Sequence, residues 1–434
     1  MQEKHKIEEV VGEEILDSRG NPTVRVTVIL QGGAQGVASV PSGASTGSYE
    51  AYELRDGDPT RYGGRGVLRA VEHVNEPIRK AVVGLSALDQ ERVDTVLCRL
   101  DGTSQKKNLG ANAILGVSLA VLRAAAESVG LPLWQYVGGA SRRKLPIPMM
   151  NILNGGAHAG NGLDVQEFMI LPVGASSFRE AMQMGCEITL SLGRLLHKRG
   201  LATGVGDEGG FAPELSSEKE ALDLIREVIE ESRYGADRIK IALDAAATEW
   251  AEGKVYKMPK SGRVFTSSEL ADYWLHLAEQ YPIVSLEDGL GEEDWEGWRR
   301  LTEMLSPRLL VGDDLFVTNT ERFRKGLERK AGNAILIKPN QIGTVTETAR
   351  VIRMAKAAGY RVILSHRSGE TEDTSLADLA VGFEADFIKA GAPCRSERVA
   401  KYNRLLSIER QMRHGEYGVS AETAFSPKFE HIPL

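Results

Sequence analysis

Positive charge is in short supply in this sequence. Its 53 Lys and Arg residues are outnumbered by 60 Asp and Glu, for a formal net charge of −7. No basic arm or stripe offsets that acidity, which argues against nucleic acid as the main partner and requires any phosphate selectivity to be local. Cysteine is equally sparse. Cys98, Cys186 and Cys394 are odd in number, far apart and without metal-ligand spacing, so no disulfide framework is expected and they read as reduced, packed thiols. The opening MQEKHKIEEV is charged throughout and lacks the apolar stretch of a secretory signal, while the most apolar helix candidate, ANAILGVSLAVL, stops at Arg123. A cytoplasmic protein without membrane contact is the expectation. No sequence repeat of roughly 20 to 50 residues, low-complexity run or long linker is apparent.

What is present describes a folded protein. Apolar residues make up 42% and charged residues 26% of 434 positions, enough to bury a core in two domains, one of which could be a barrel of roughly 250 residues. The first 60 residues alternate β-rich runs (PTVRVTVIL, GVASV) with Gly and Ser clusters, and helical patterns follow at about 66–83 and 108–128. These form an α+β module. Gly130, Pro132, Gly138, Gly139, Pro146 and Pro148 then break the pattern, giving a boundary that divides the chain into domains 1–139 and 140–434. Beyond it, IKIALD, YPIVSLED, LLVGDD, AILIKPN, YRVILSH and ADFIK each end an apolar run in a charged residue, with helical segments between them. Such βα units predict a (β/α)-type barrel.

In such a barrel the strand ends converge at the carboxyl face, so Asp244, Glu287, Asp314, Lys338, His366 and Lys389 should meet. Three carboxylates from successive strand ends suit a hard divalent cation such as Mg²⁺. One Asp at a strand end is as readily a helix N-cap, and Asp288 and Asp313 are assigned to such supporting work, since alternation turns only one of two neighbours inward. Lys338 could be a solvated rim residue. Beside metal ions and Lys389 its ammonium would be disfavoured, leaving an amine able to take a proton from a carbon next to a carboxylate. Glu208, in VGDEGG, could donate a proton to a departing hydroxide if nearby negative charge keeps its own pKa high. VQEFM presents Gln166 and Glu167, NGGAHAG presents His158, and SHRSGET puts Arg367 and Ser368 where a guanidinium and a hydroxyl could hold phosphate.

LDSRGNPTV, PSGASTG, ELRDGD, VGDEGGFAP, GDDLFVTN, NQIGT, SHRSGETEDT and RSERVAKYN together closely resemble the enolase family over nearly the whole chain. The resemblance implies a small amino-terminal α+β domain and a barrel that begins ββαα before continuing as βα units. It implies reversible dehydration of 2-phosphoglycerate to phosphoenolpyruvate with two Mg²⁺ per site. The first would sit on Asp244, Glu287 and Asp314, the second on Ser42 of the PSGASTG loop and substrate phosphate. Lys338 matches the base, Glu208 the acid with Glu167 assisting, and Lys389 and Gln166 groups near the substrate carboxylate and hydroxyl. Arg367 and Ser368 match phosphate contacts, His366 lies in the same motif, and His158 and Ser42 belong to loops that close over substrate.

Two departures stand out. Pro339 follows the base where the family often has Val or Leu, and VGFEADFIKAGAP differs from a frequent family pattern while keeping Lys389. Many enolases also carry Arg at the position of Glu13 and Glu at that of Arg410, pairing across a dimer interface; here both signs are reversed, and a second pair is replaced by Arg25 with Ser407. A swapped Glu13–Arg410 pair within a homodimer is expected, with an octamer as the other assembly the family allows. The competing functions are an enolase-like lyase acting on a phosphonate-type analogue and an additional non-catalytic binding role.

Overall fold

The computed structural model describes residues 3–43, 47–140, 144–253, 255–412 and 416–418. The chain opens with a three-stranded antiparallel sheet, β1 (Ile7–Leu16), β2 (Pro22–Leu30) and β3 (Gln35–Ser39). Val24, Val26, Val28 and Leu30 alternate along β2 and all point inward, as a half-buried strand requires. They pack on a helical layer that includes α1 (Gln90–Asp101) and α2 (Ala111–Ser128). A side chain at Gly36 would come within 2.0 Å of the Ala120 carbonyl oxygen, so the helix lies directly on the sheet. The apolar α2 is long enough to cross a membrane, yet 83% of it is buried inside the protein, which marks it as a core helix. The expected helix at 66–83 is built from Leu68–His73, a wider turn at Val74–Ile78 containing Pro77, and Arg79–Val82. Sequence reading missed α1, whose buried face is small and whose other residues are mostly polar.

The second part is a closed eight-stranded barrel. Its strands are β4 (Ile147–Asn154), β5 (Glu167–Leu171), β6 (Lys240–Asp244), β7 (Ile283–Glu287), β8 (Leu309–Gly312), β9 (Ala334–Ile337), β10 (Arg361–Ser365) and β11 (Phe387–Lys389). β5 runs antiparallel to both neighbours, and the other pairings are parallel. Two helices, α3 (Phe178–Lys198) and α4 (Glu218–Glu231), separate β5 from β6, so the barrel has the expected ββαα(βα)6 order. Ile147, Met169, Leu309, Leu336, Ile363 and Phe387 belong to the cluster that fills its interior, leaving a packed plug below a polar end. Because β5 is reversed, its first residue, Glu167, pairs in register with the last residue of β6, Asp244. Both therefore sit at the same end.

The Pro339 departure is accommodated without distortion. It occupies the first position of a short helix, Pro339–Ile342, where its missing N–H has no partner to lose. Glu13 faces Arg25 across β1 and β2, with the charged groups 3.6 Å apart. Any cross-dimer pair would share Glu13 with this intrachain one.

Candidate active site

The polar end of the barrel gathers charge from widely separated segments. Lys389, the last residue of β11, puts its ammonium 3.0 Å from Asp244 Oδ2, 2.9 and 3.0 Å from the two oxygens of Glu287, and 3.1 Å from Glu167 Oε2. All four side chains are buried. The carboxylates raise the lysine well above its ordinary range although burial opposes this. Gln166 Nε2 donates to Asp244 Oδ2 at 3.4 Å.

Asp313, rather than the expected Asp314, is the next carboxylate facing this cluster. Asp313 is buried, binds the Lys338 ammonium through Oδ2, and accepts from Gln341 Nε2 at 2.8 Å through Oδ1. Asp313 also acts electrostatically on Glu287, alongside Asp244, Lys389 and Lys338. Asp314 is partly exposed, and its environment is Asp313, Lys338, Glu50 and Glu292. Burial and then the Asp313 charge push its carboxyl up to about 7. Asp288 does the expected capping work: its two oxygens accept the backbone N–H groups of Asp313 and Asp314 at 3.1 and 2.8 Å.

Lys338 lines the same pocket, where Asp313 is its ion-pair partner. Burial pulls the ammonium down, and the contact with Asp313 outweighs it, so the group is raised. Its backbone N–H is fixed by Thr318 Oγ1 at 2.9 Å, and Thr318 in turn donates to Gln341 at 2.8 Å. Thr318 and Gln341 are supporting residues that sequence reading overlooked, although NQIGT directly follows the lysine and its proline.

On the opposite side lies a second acidic group. His158, Glu167 and Glu208 offer atoms within 4.8 Å of one another. Glu208 sits on a loop that pairs with β4 through Phe211, and its Oε2 accepts from Asn151 Nδ2 at 2.9 Å. The two glutamates are shifted in opposite directions. Burial and the Glu208 charge drive Glu167 well above the carboxylate range. Burial also opposes ionisation of Glu208, but His158 and Arg398 outweigh it and hold this carboxyl well below. The sequence expectation of a high pKa for Glu208 is met instead by its neighbour. The His158 loop is tied down by Lys260 Nζ, which donates to the Gly156 and Ala159 carbonyls at 2.9 Å each.

His366, Arg367 and Ser368 follow β10 and line the pocket. Arg367 Nη1 and Nη2 grip Glu50 at 2.8 and 3.3 Å, both side chains being buried. A carboxylate thus occupies the guanidinium that a phosphate would use. Replacing Glu50 with Gln should leave Arg367 undercompensated. We expect loss of about 3 kcal/mol of stability, regained on adding inorganic phosphate; a melting temperature unresponsive to phosphate would refute this. Ser42 is not brought to the carboxylates. Its hydroxyl donates to Glu53 at 3.1 Å and accepts from Arg55 at 2.9 Å, while its backbone bridges to Gly369. Gly43, its neighbour, lines the pocket, and residues 44–46 of the same loop lie outside the described residues.

The donor set fits a hard divalent cation. Glu167, Glu287 and Asp288 are each held well above the carboxylate range, chiefly by burial and then by Glu208, Asp244 and Asp314 respectively. Such a site has more carboxylate than its lysines neutralise, and every donor is a hard oxygen. A second carboxylate group, Asp288, Asp313 and Asp314, also has atoms within 4.8 Å of one another.

A ββαα(βα)6 barrel whose polar end joins carboxylates, two buried lysines and an acid pair defines a metal-binding lyase. Residues 7–137 match the family model described as Enolase, N-terminal domain, and residues 142–424 the model described as Enolase, C-terminal TIM barrel domain. The chain belongs to the enolase family. As in that Mg²⁺-dependent family, its substrate is a small molecule.

Proposed function

We propose that this chain catalyses the reversible dehydration of 2-phosphoglycerate to phosphoenolpyruvate, serving glycolysis and gluconeogenesis as a cytoplasmic homodimer. The observation that carries the reading is the placement of Lys338, beside Asp313, in the same pocket as the Glu167–Glu208 pair. That arrangement can remove a proton from one carbon and protonate a hydroxyl on the next.

Asp244, Glu287 and Asp313 would hold the first Mg²⁺, and two ions serve each active site. When bound, Mg²⁺ would supply positive charge to the substrate carboxylate. To take the proton from C2, Lys338 must leave its ion pair with Asp313 and act as an amine. Lys389 and Gln166 orient the substrate carboxylate and hydroxyl. The proton held on Glu167 supplies its partner Glu208, which delivers it to the leaving C3 hydroxyl. Arg367 exchanges Glu50 for the substrate phosphate, with Ser368 beside it. His158 stands next to the acid pair, 3.8 Å from Glu167 and 3.7 Å from Glu208. For Ser42 to join the second ion it must leave Glu53 and Arg55.

The test is direct. Purified protein with Mg²⁺ should convert 2-phosphoglycerate to phosphoenolpyruvate, seen as a rise in ultraviolet absorbance. Chelator should abolish the rise and added Mg²⁺ restore it. No turnover in Mg²⁺ would sink the assignment of substrate.

A further inference from the structure

The RSERVAKYN segment opens the helix α5 (Ser396–Met412), and its side chains reach the site. Arg398 is fully buried. Its Nη1 lies 2.7 Å from His366 Nδ1 and donates to the Arg367 carbonyl at 2.5 Å. Its Nη2 donates to the carbonyls of Ser368 at 2.5 Å and Asp207 at 3.0 Å. One guanidinium therefore joins the His366–Ser368 loop to the residue that precedes Glu208. Lys401, one turn on, supports the same loop through Glu370, whose Oε1 accepts the Arg367 backbone N–H at 3.2 Å.

Arginine has only donors. The ring nitrogen facing it must accept, so Nδ1 of His366 carries no proton and Nε2 carries the ring's N–H. That Nε2 is buried, has no hydrogen-bond partner among the described residues, and lies 3.6 Å from Glu208 Oε1 in the pocket. We propose that Arg398 is a positioning residue that locks His366 as the neutral Nε2–H tautomer, presenting a permanent N–H donor to a substrate oxygen beside Glu208. The identity of that oxygen rests on the proposed reaction; the tautomer does not.

The charged groups around the ring agree with this. Burial holds His366 well below its ordinary range; Glu208 pulls upward, and Arg398, Lys389 and Lys338 push downward. A loop-pinning role alone would predict loss of stability with no particular ring state.

Nitrogen NMR of histidine-labelled protein separates the two. In the unmutated chain His366 should be unprotonated at Nδ1 and protonated at Nε2 throughout the neutral pH range. Arg398→Met should release the ring to titrate or change tautomer, and lower kcat/KM on the order of 100-fold. Arg398→Lys, which keeps a donor for Nδ1, should retain the tautomer and recover part of that loss. A proton on Nδ1 in the unmutated chain overturns the proposal even if Arg398→Met fails to fold. So does an Arg398→Met variant that folds with its tautomer unchanged, whatever its activity. Absence of turnover on 2-phosphoglycerate with the expected ring state would instead count against the reaction.

Discussion

Lys338→Ala should lower kcat on the order of 10² to 10⁴-fold while leaving the fold intact. No other amine can replace it easily, since Lys389 is committed to Asp244, Glu287 and Glu167. The fold should survive because the strand end is secured by the backbone N–H to Thr318, and Gln341 still satisfies Asp313. Removing the ammonium also takes away the cation that competes for Asp313. Magnesium affinity should therefore be unchanged or higher, which distinguishes loss of a base from loss of a metal ligand. Steady-state rates, a thermal melt and a Mg²⁺ titration measure all three quantities. Retention of rate within tenfold would remove Lys338 from its role.

The paired substitutions Asp313→Asn and Asp314→Asn carry the second large effect. Asp313→Asn should weaken Mg²⁺ binding by more than about 100-fold, because groups merely supporting a ligand are already worth about 10- to 100-fold. Asp314→Asn should cost no more than about tenfold, since its carboxyl stands at the pocket edge with Asp288 on its backbone N–H. Calorimetric titration of both variants decides between them. A larger loss for Asp314→Asn would restore the assignment read from sequence.

That reversal has a specific origin. Alternation correctly says that only one of two adjacent residues faces inward, but it holds only while the chain remains a strand. β8 ends at Gly312, before either aspartate, and the turn after them puts Val317 and Thr318 in left-handed backbone conformations. The phase of the strand cannot be carried through such a bend. The six βα units were legible because each ends a short apolar run in a charged residue. β5 shows why position along a strand is not enough: its working carboxylate, Glu167, stands at the strand's beginning.

Charge states were harder to read than positions. Metal ions and Lys389 beside Lys338 suggested a depressed lysine; spacing did not show that Asp313 would be its contact, and contact outweighs distant repulsion. In the same way a raised carboxyl was expected at Glu208, whereas burial and the Glu208 charge raise its neighbour Glu167. Arg398 was invisible as a partner of His366, because spacing along a chain does not reveal which helix turns back against which loop. The motif was visible, and its target was not.

The reversed direction of β5 has one more effect. Parallel neighbours in a barrel are joined by segments that leave the reacting end and run back along the outside. Antiparallel neighbours need no return journey, so the short link from β4 to β5, residues 155–166, remains above the carboxylates as a built-in roof. His158 hangs from it, and Lys260, reaching in from the segment after β6, pegs its edge. Turning one stave upside down keeps the whole of this link, His158 included, at the polar end.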